Sequence, residues 1–393
     1  RPFGADEIAR ALAGSEHCDE AALKARLRTL RQRVLLRVMA RDLAGGADLA
    51  EVCETMSELA DASIRCALGW AENALAAPAG RLVVIAMGKL GGRELNVSSD
   101  VDLVFAYPDG AGEHALFERL GRKLIALLSE TTADGFSFRV DMRLRPYGES
   151  GPLVASFDAL ETYFYAQGRA WERYAWIKAR PITGGQHEEL AAIVRPFVYR
   201  KYLDFATLAA MRGLHAEVRR EVARRELAGH VKLGPGGIRE IEFVTQALQL
   251  VRGGREPSLA VRPTLQALAR LAERRLLPED AARALAESYV FLRRIEHRLQ
   301  YLDDAQTHML PEDEGDRARL AAMADFPDWP ALLAKLDAVR AQVTQHFQDV
   351  LAGPAQEISP SAAWPDHPRA NALRASQRYA VLPEDSRRRF SLR

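Results

Sequence analysis

The sequence predicts an α+β fold with flanking helices, followed by an all-α helical bundle, and three observations carry that prediction. Residues 87–105, MGKLGGRELNVSSDVDLVF, run from a glycine turn into a strand holding two aspartates one residue apart. Residues 136–145, FSFRVDMRLR, alternate between an apolar face (Phe136, Phe138, Val140, Met142, Leu144) and a charged one (Arg139, Asp141, Arg143, Arg145), the period of a half-buried strand. Beyond about residue 184 the apolar residues recur at helical spacing instead.

Taken in order, residues 19–46 read as a helix. Asp19 is placed to cap it, Leu23, Leu27, Leu30, Val34 and Val38 form its stripe, and Gly45-Gly46 ends it. Its other face carries Arg26, Arg28, Arg31, Arg33, Arg37 and Arg41, and a solvated face is the ordinary role of such a run. A second helix spans 48–77 and breaks at 78–80, before the apolar strand 81–87. After the aspartate strand, Phe117, Leu120, Leu124 and Leu127 mark a crossover helix. Residues 146–152, PYGESGP, have the composition of an ordered loop beside Asp141. Residues 156–180 read as one helix with Ser156 as N-cap, and its Trp171, Tyr174 and Trp176 are assigned to the core; 181–185 are expected to form a hinge. Stripes at Leu285 to Leu302 and Leu332 to Val350 indicate long packed helices, and four prolines in 353–369 signal a linker. The expected division is a helical buttress over 1–79, the sheet region over 80–183, the bundle over 184–352, and over 353–393 a linker leading into further sequence.

Length and composition bound the class. A chain of 393 residues accommodates two or three domains, and 48% hydrophobic with 27% charged residues is ordinary for a globular protein. The net charge of +1 supplies no bulk attraction to nucleic acid. Cys18, Cys53 and Cys66 lack zinc-site spacing and fit free thiols in a reducing cytoplasm. No apolar run approaches the roughly 18 residues that span a membrane. The opening RPFGADEI has no initiator methionine and no signal-like apolar core, so the expectation is an internal piece of a longer cytoplasmic chain.

Strand alternation points Asp100 and Asp102 the same way. If the 136–145 strand is a neighbour, Asp141 joins them, and three carboxylates repel unless a divalent cation intervenes. Arg139, Arg143 and Arg145 would then face phosphate oxygens. Gly88, Gly91 and Gly92 let backbone approach a ligand closely. A second glycine loop, Gly234, Gly236 and Gly237, precedes a helix over 238–250 and is flanked by Lys232 and Arg239. It either holds orthophosphate at the helix end or simply turns the chain between packed helices. Glu240 and Glu242 stand two apart on that helix, hence on different faces, which disfavours one shared metal and leaves pairing with an arginine or orienting a phosphate as their alternatives. His297 and His308 lack ligand spacing and are given no metal role.

A Gly-Gly followed by Ser-Asp-x-Asp, with a third aspartate on a later strand, resembles the nucleotidyltransferase superfamily that includes DNA polymerase beta. More closely, GKLGGRELNVSSDVDLVF, RVDMRLRPYGESGPL, WERYAWIKAR, FVYRKYLDF and KLGPGGIREIEFVTQALQLVRGGREPSL resemble the bacterial glutamine synthetase adenylyltransferase/adenylyl-removing family, over about residues 27–351. The resemblance implies a polymerase-beta-like sheet. In that family one half attaches AMP to a tyrosine of glutamine synthetase and the other removes it. ELNVSSDVDL and GGIREIEF resemble the N-terminal, removing half, and no second Gly-Gly…Asp-x-Asp set follows. The implied reaction is phosphorolysis, in which orthophosphate attacks the adenylyl phosphorus and ADP forms. Asp100, Asp102 and Asp141 would hold two magnesium ions, with manganese also suited; Gly91 and Gly92 would position the phosphate and Ser99 would hydrogen-bond it. Implied partners are adenylylated glutamine synthetase and the PII signal protein, with no nucleic acid and no membrane. Three alternatives stand beside this: attachment of AMP by the same half, a polynucleotide or tRNA nucleotidyltransferase, and a regulatory interaction module. The +1 charge disfavours the second, and three aspartates without a metal would be a needless repulsion in the third.

Overall fold

The computed structural model describes residues 1–200 and 229–352. The 353–393 linker, part of the bundle and the end of FVYRKYLDF lie outside the described residues. The fold is mixed α/β, mostly helical, with one small mixed sheet. Residues Arg1–Leu351 form one compact unit.

Five strands make the sheet: β1 (Val83–Ala86), β2 (Val101–Tyr107), β3 (Val140–Asp141), β4 (Val154–Ser156) and β5 (Arg180–Pro181). The order is β3-β2-β1-β5, and β4 also pairs with β2. β1 lies antiparallel to β2 and β5, whereas β3 and β4 run parallel to β2. Every residue of β1 is buried, which is why it reads as an unbroken apolar run and not as an alternation.

Two N-terminal helices and a crossover helix cover one face. Helix Glu20–Leu43 starts where the Asp19 side chain accepts the Ala22 N–H at 2.8 Å, and helix Leu49–Ala74 where Asp48 accepts that of Glu51 at 2.8 Å. Their stripes, with Phe117, Leu120, Leu124 and Leu127 of helix His114–Ser129, pack on Val84, Leu103 and Phe105. The opposite face (Val83, Ile85, Val104, Ala106) is covered by Phe157, Leu160, Phe164, Trp176, Phe197 and Phe243. A third core joins Ile238, Leu268, Leu285, Leu292, Leu299, Leu336 and Val343.

Four expectations are corrected. The arginine face of the first long helix is not simply solvated. Arg28 is fully buried and donates to the carbonyls of Leu127, Glu130 and Gly135, closing the end of helix His114–Ser129, and Arg31 grips Asp304 at 2.7 and 2.8 Å. The 136–145 strand pairs over only two residues, because Ser137 and Phe138 N–H groups both bond Leu128 O and the chain turns at Met142 to Arg145. The 156–180 helix divides into Phe157–Ala166 and Ala170–Trp176, with Gly168 pressed against Phe197 between them, and Trp171 is 39% exposed. The expected hinge is instead docked: Arg180–Pro181 pair with β1, and Ile182 N–H donates to Val84 O at 2.8 Å.

Buried charge ties the sheet to the C-terminal helices. Lys89, in the one-turn helix Gly88–Gly91, donates to both oxygens of Glu296 at 2.9 and 2.8 Å, and Arg293 lies 3.0 Å from the same carboxylate. Glu94 binds Lys178 and accepts from Thr264 N–H at 2.7 Å and Tyr289 O–H at 3.2 Å. Burial pushes Lys89 down to about 8, and the cations around Glu296 hold it well below the usual carboxylate range despite its burial. Removing one member strands the others without water. Glu296→Gln should therefore destabilise the chain by roughly 3–5 kcal/mol in urea unfolding, whereas Leu36→Gln at an exposed site should change it by less than about 0.5 kcal/mol. Equal unfolding midpoints for the two would refute this role.

Candidate active site

The parallel register sets Asp102 opposite Asp141, with their neighbours Val101 and Val140 paired and turned toward the other face. Asp100 stands immediately before β2, so all three aspartates occupy the face shared with Val104 and Ala106. Gly88 lies directly against them. Its φ is +52°, and a Cβ there would come within 2.4 Å of Asp102 Oδ2, so only glycine leaves the carboxylate its space.

The three carboxylates differ in surroundings. Asp100 accepts from Arg139 Nε at 2.7 Å, and the Gln306 amide nitrogen, in the orientation that satisfies both groups, lies 3.2 and 3.0 Å from its oxygens. Asp141 accepts the Arg143 N–H at 2.8 Å and its guanidinium at 2.8 and 3.1 Å. Although burial raises it, these bonds hold Asp141 below its ordinary pKa. No hydrogen bond reaches the Asp102 carboxylate among the described residues. Burial, then Asp141 and Asp100, push it up to about 6, against the opposing pull of Lys232 and Arg143.

The remaining expected site residues are placed variously. Lys232 projects its charge onto Asp102 from the helical region, and Arg239 is exposed. Gly91 and Gly92 face Lys178 and Glu94, not the aspartates, and their N–H groups bond Met87 O and Gly88 O. Arg145 donates to Met142 O, Glu149 O and Gly151 O, bracing the 146–152 loop. The Ser99 hydroxyl makes no hydrogen bond among the described residues. In the second glycine loop a Cβ on Gly236 would meet Arg340 O at 2.1 Å; Gly236 N–H donates to Glu240 and Gly237 N–H to Gly234 O. Ile238 and Arg239 N–H groups return to Val231 O and Lys232 O. That loop spends its donors on itself, so the chain turn and not the anion cradle describes its geometry. Glu242 lies 3.9 Å from Lys178.

Sequence reading missed Lys89, Glu296, Gln306 and the Glu94–Lys178 pair. Its one available signal was charge inside otherwise apolar stretches, since the partners are 207 and 84 residues apart.

Among the described residues, no three His, Cys, Asp or Glu side chains converge on one metal point. The aspartates share a face, but Arg139 and Arg143 hold two of them. The chemistry of the donors nevertheless suits a hard divalent cation: three carboxylates on one face, one of which accepts no hydrogen bond among the described residues and has its pKa raised by burial and then by its neighbours' charge.

Residues 4–194 match the family model described as glutamate-ammonia ligase adenylyltransferase, and residues 212–351 that described as GlnD PII-uridylyltransferase. The chain is 55% identical over 357 residues to the bifunctional glutamine synthetase adenylyltransferase/adenylyl-removing enzyme of Aromatoleum aromaticum, a match covering 86% of this chain and 38% of the relative. It is 54% identical over 354 residues to that of Chromobacterium violaceum, covering 86% and 40%. The relative in Burkholderia mallei is 46% identical over 443 residues, covering 96% and 48%. The chain thus spans about two fifths of the length of the first two relatives and resembles one part of a bifunctional adenylyltransferase/adenylyl-removing enzyme.

The raised Asp102 pKa has a stability consequence with a definite sign. A carboxyl whose folded pKa exceeds its unfolded value stabilises the fold below about pH 4 and loses that contribution as pH rises through about 6. In EDTA, Asp102→Asn should therefore unfold at higher urea than the parent at pH 7.5, by roughly 2–3 kcal/mol, and the difference should close at pH 4. A pH-independent difference would show that Asp102 carries no such charge cost.

Proposed function

We propose that this chain removes AMP from adenylylated glutamine synthetase by phosphorolysis, on a polymerase-beta-like nucleotidyltransferase sheet. The observation that supports this best is Asp102 set beside Asp141 in parallel register, with Gly88 against it and, among the described residues, no counter-charge bonded to it. The family match over 4–194 and the names of the relatives agree with nucleotidyl transfer to or from glutamine synthetase. Resemblance of ELNVSSDVDL and GGIREIEF to the removing half favours removal over attachment.

Asp100, Asp102 and Asp141 would hold magnesium or manganese, which when bound neutralises charge developing on the adenylyl phosphate. Arg139 and Arg143, already on this face, would exchange their aspartates for phosphate oxygens. Lys232 adds positive charge from the helical side. Orthophosphate oxygen forms the new bond to the adenylyl phosphorus as the bond to the tyrosine oxygen breaks; tyrosine recovers a proton and ADP leaves. The 212–351 match to a PII-uridylyltransferase model supports the PII protein as a regulatory partner.

Mixing the chain with adenylylated glutamine synthetase, magnesium and orthophosphate should release ADP, and omitting phosphate should stop the release. Asp102→Asn should slow it by about a hundredfold or more, the scale of losing roughly 3 kcal/mol of transition-state stabilisation. Attachment is the competing reading. Efficient labelling of unmodified glutamine synthetase from ATP, with pyrophosphate released, would establish it and overturn removal.

A further inference from the structure

A cavity of about 640 Å³ opens where β5 meets helix His187–Val198, apart from the aspartates at the opposite edge of the sheet. Its walls are mostly apolar and include Trp176 and Tyr199, a size and lining suited to a small organic molecule. Its polar lining is one-sided among the described residues: Arg180, Arg195, Arg262 and His187 contribute, and none of the described lining residues is Asp or Glu.

The arginines differ in how far they are committed. Arg180 is neutralised by Asp61 at 2.8 and 2.9 Å, and His187 is 3.2 Å from Thr183 O. Among the described residues Arg262 donates only through its Nε, to Ala179 O at 2.7 Å. Burial and the neighbouring Arg180 hold Arg262 below its ordinary pKa. Arg195 makes no ion pair among the described residues. Both guanidiniums line the same cavity as Tyr199, whose hydroxyl burial pushes up to about 12 against the pull of the two cations. Two cations with open donor forks beside aromatic walls select an oxyanion head on an apolar body.

We propose that this cavity is a second ligand site, for an organic anion carrying a phosphate or carboxylate head that Arg195 and Arg262 grip while Trp176 and Tyr199 flank its apolar body. It shares no lining residue with the aspartate site and lies toward the β5 edge of the sheet, so its failure and the failure of the proposed phosphorolysis are separately visible.

Isothermal titration of the whole chain in EDTA tests it with two probes that are neither substrate nor product of the proposed phosphorolysis, hexyl phosphate for a phosphate head and N-acetylphenylalanine for a carboxylate. At least one should bind with Kd below about 1 mM. Its affinity should fall about tenfold or more in Arg195→Ala/Arg262→Ala, the loss expected for charge-assisted hydrogen bonds, and stay unchanged in Asp102→Asn. Whichever probe binds identifies the head group. Circular dichroism checks the double variant, and if it unfolds, Arg195→Gln alone carries the test. Binding by neither probe, or binding that follows Asp102 and ignores the arginines, would overturn the assignment.

Discussion

The Lys89–Glu296 ion pair is the contact on which the site's arrangement depends. Lys89 follows Gly88, whose missing side chain gives Asp102 its room, and Glu296 belongs to helix Glu279–Asp303. The pair therefore anchors the turn beneath the aspartates to the helical region. Arg293 strengthens the link by donating to Asn96 Oδ1 and Glu94 O, both in the segment leading into β2. Such buried charge is a poor source of net stability compared with apolar packing, but an incomplete set is heavily penalised. That asymmetry makes it effective at fixing one arrangement of turn, strand and helix.

The aspartate face follows a related economy. Arg139 and Arg143 cancel the charge of Asp100 and Asp141, leaving Asp102 as the group whose charge is least compensated. A face arranged in this way tolerates three carboxylates without a cation, yet keeps one of them prepared to favour its arrival. The arginines then have a second use, because a guanidinium freed from a carboxylate presents the same fork to a phosphate. Gln306 and Lys232 bring the helical region to this face as well, so the sheet alone does not complete it.

Arginine has three distinct uses in this chain. Arg28 and Arg145 satisfy loop and helix-end carbonyls, Arg31 and Arg298 pair with Asp304 and Asp42 across long sequence separations, and Arg195 and Arg262 line a cavity with no carboxylate among its described lining residues. In the sequence these residues look alike. Each has the same charge and reach, and only the groups it meets distinguish a brace from a ligand contact.

By itself the sequence determined which residues cap the long helices, which stripes are buried, and that Asp100 and Asp102 point to the same side of their strand. Those properties depend on periods of 3.6 and 2 and on local capping, which operate over a few residues. It overstated the third strand because alternation continues into residues whose backbone is spent on Leu128 O and on turns, and it missed β4 and β5, which are too short to show a period. The tertiary structure alone decided that Asp102 faces Asp141, that Arg145 braces a loop, that the second glycine loop is closed on itself, and that Lys89 finds Glu296. A period fixes the face on which a side chain lies. Its partner is chosen by which distant surfaces the buried cores bring together, and by the requirement that each charge enclosed there meets its counterpart.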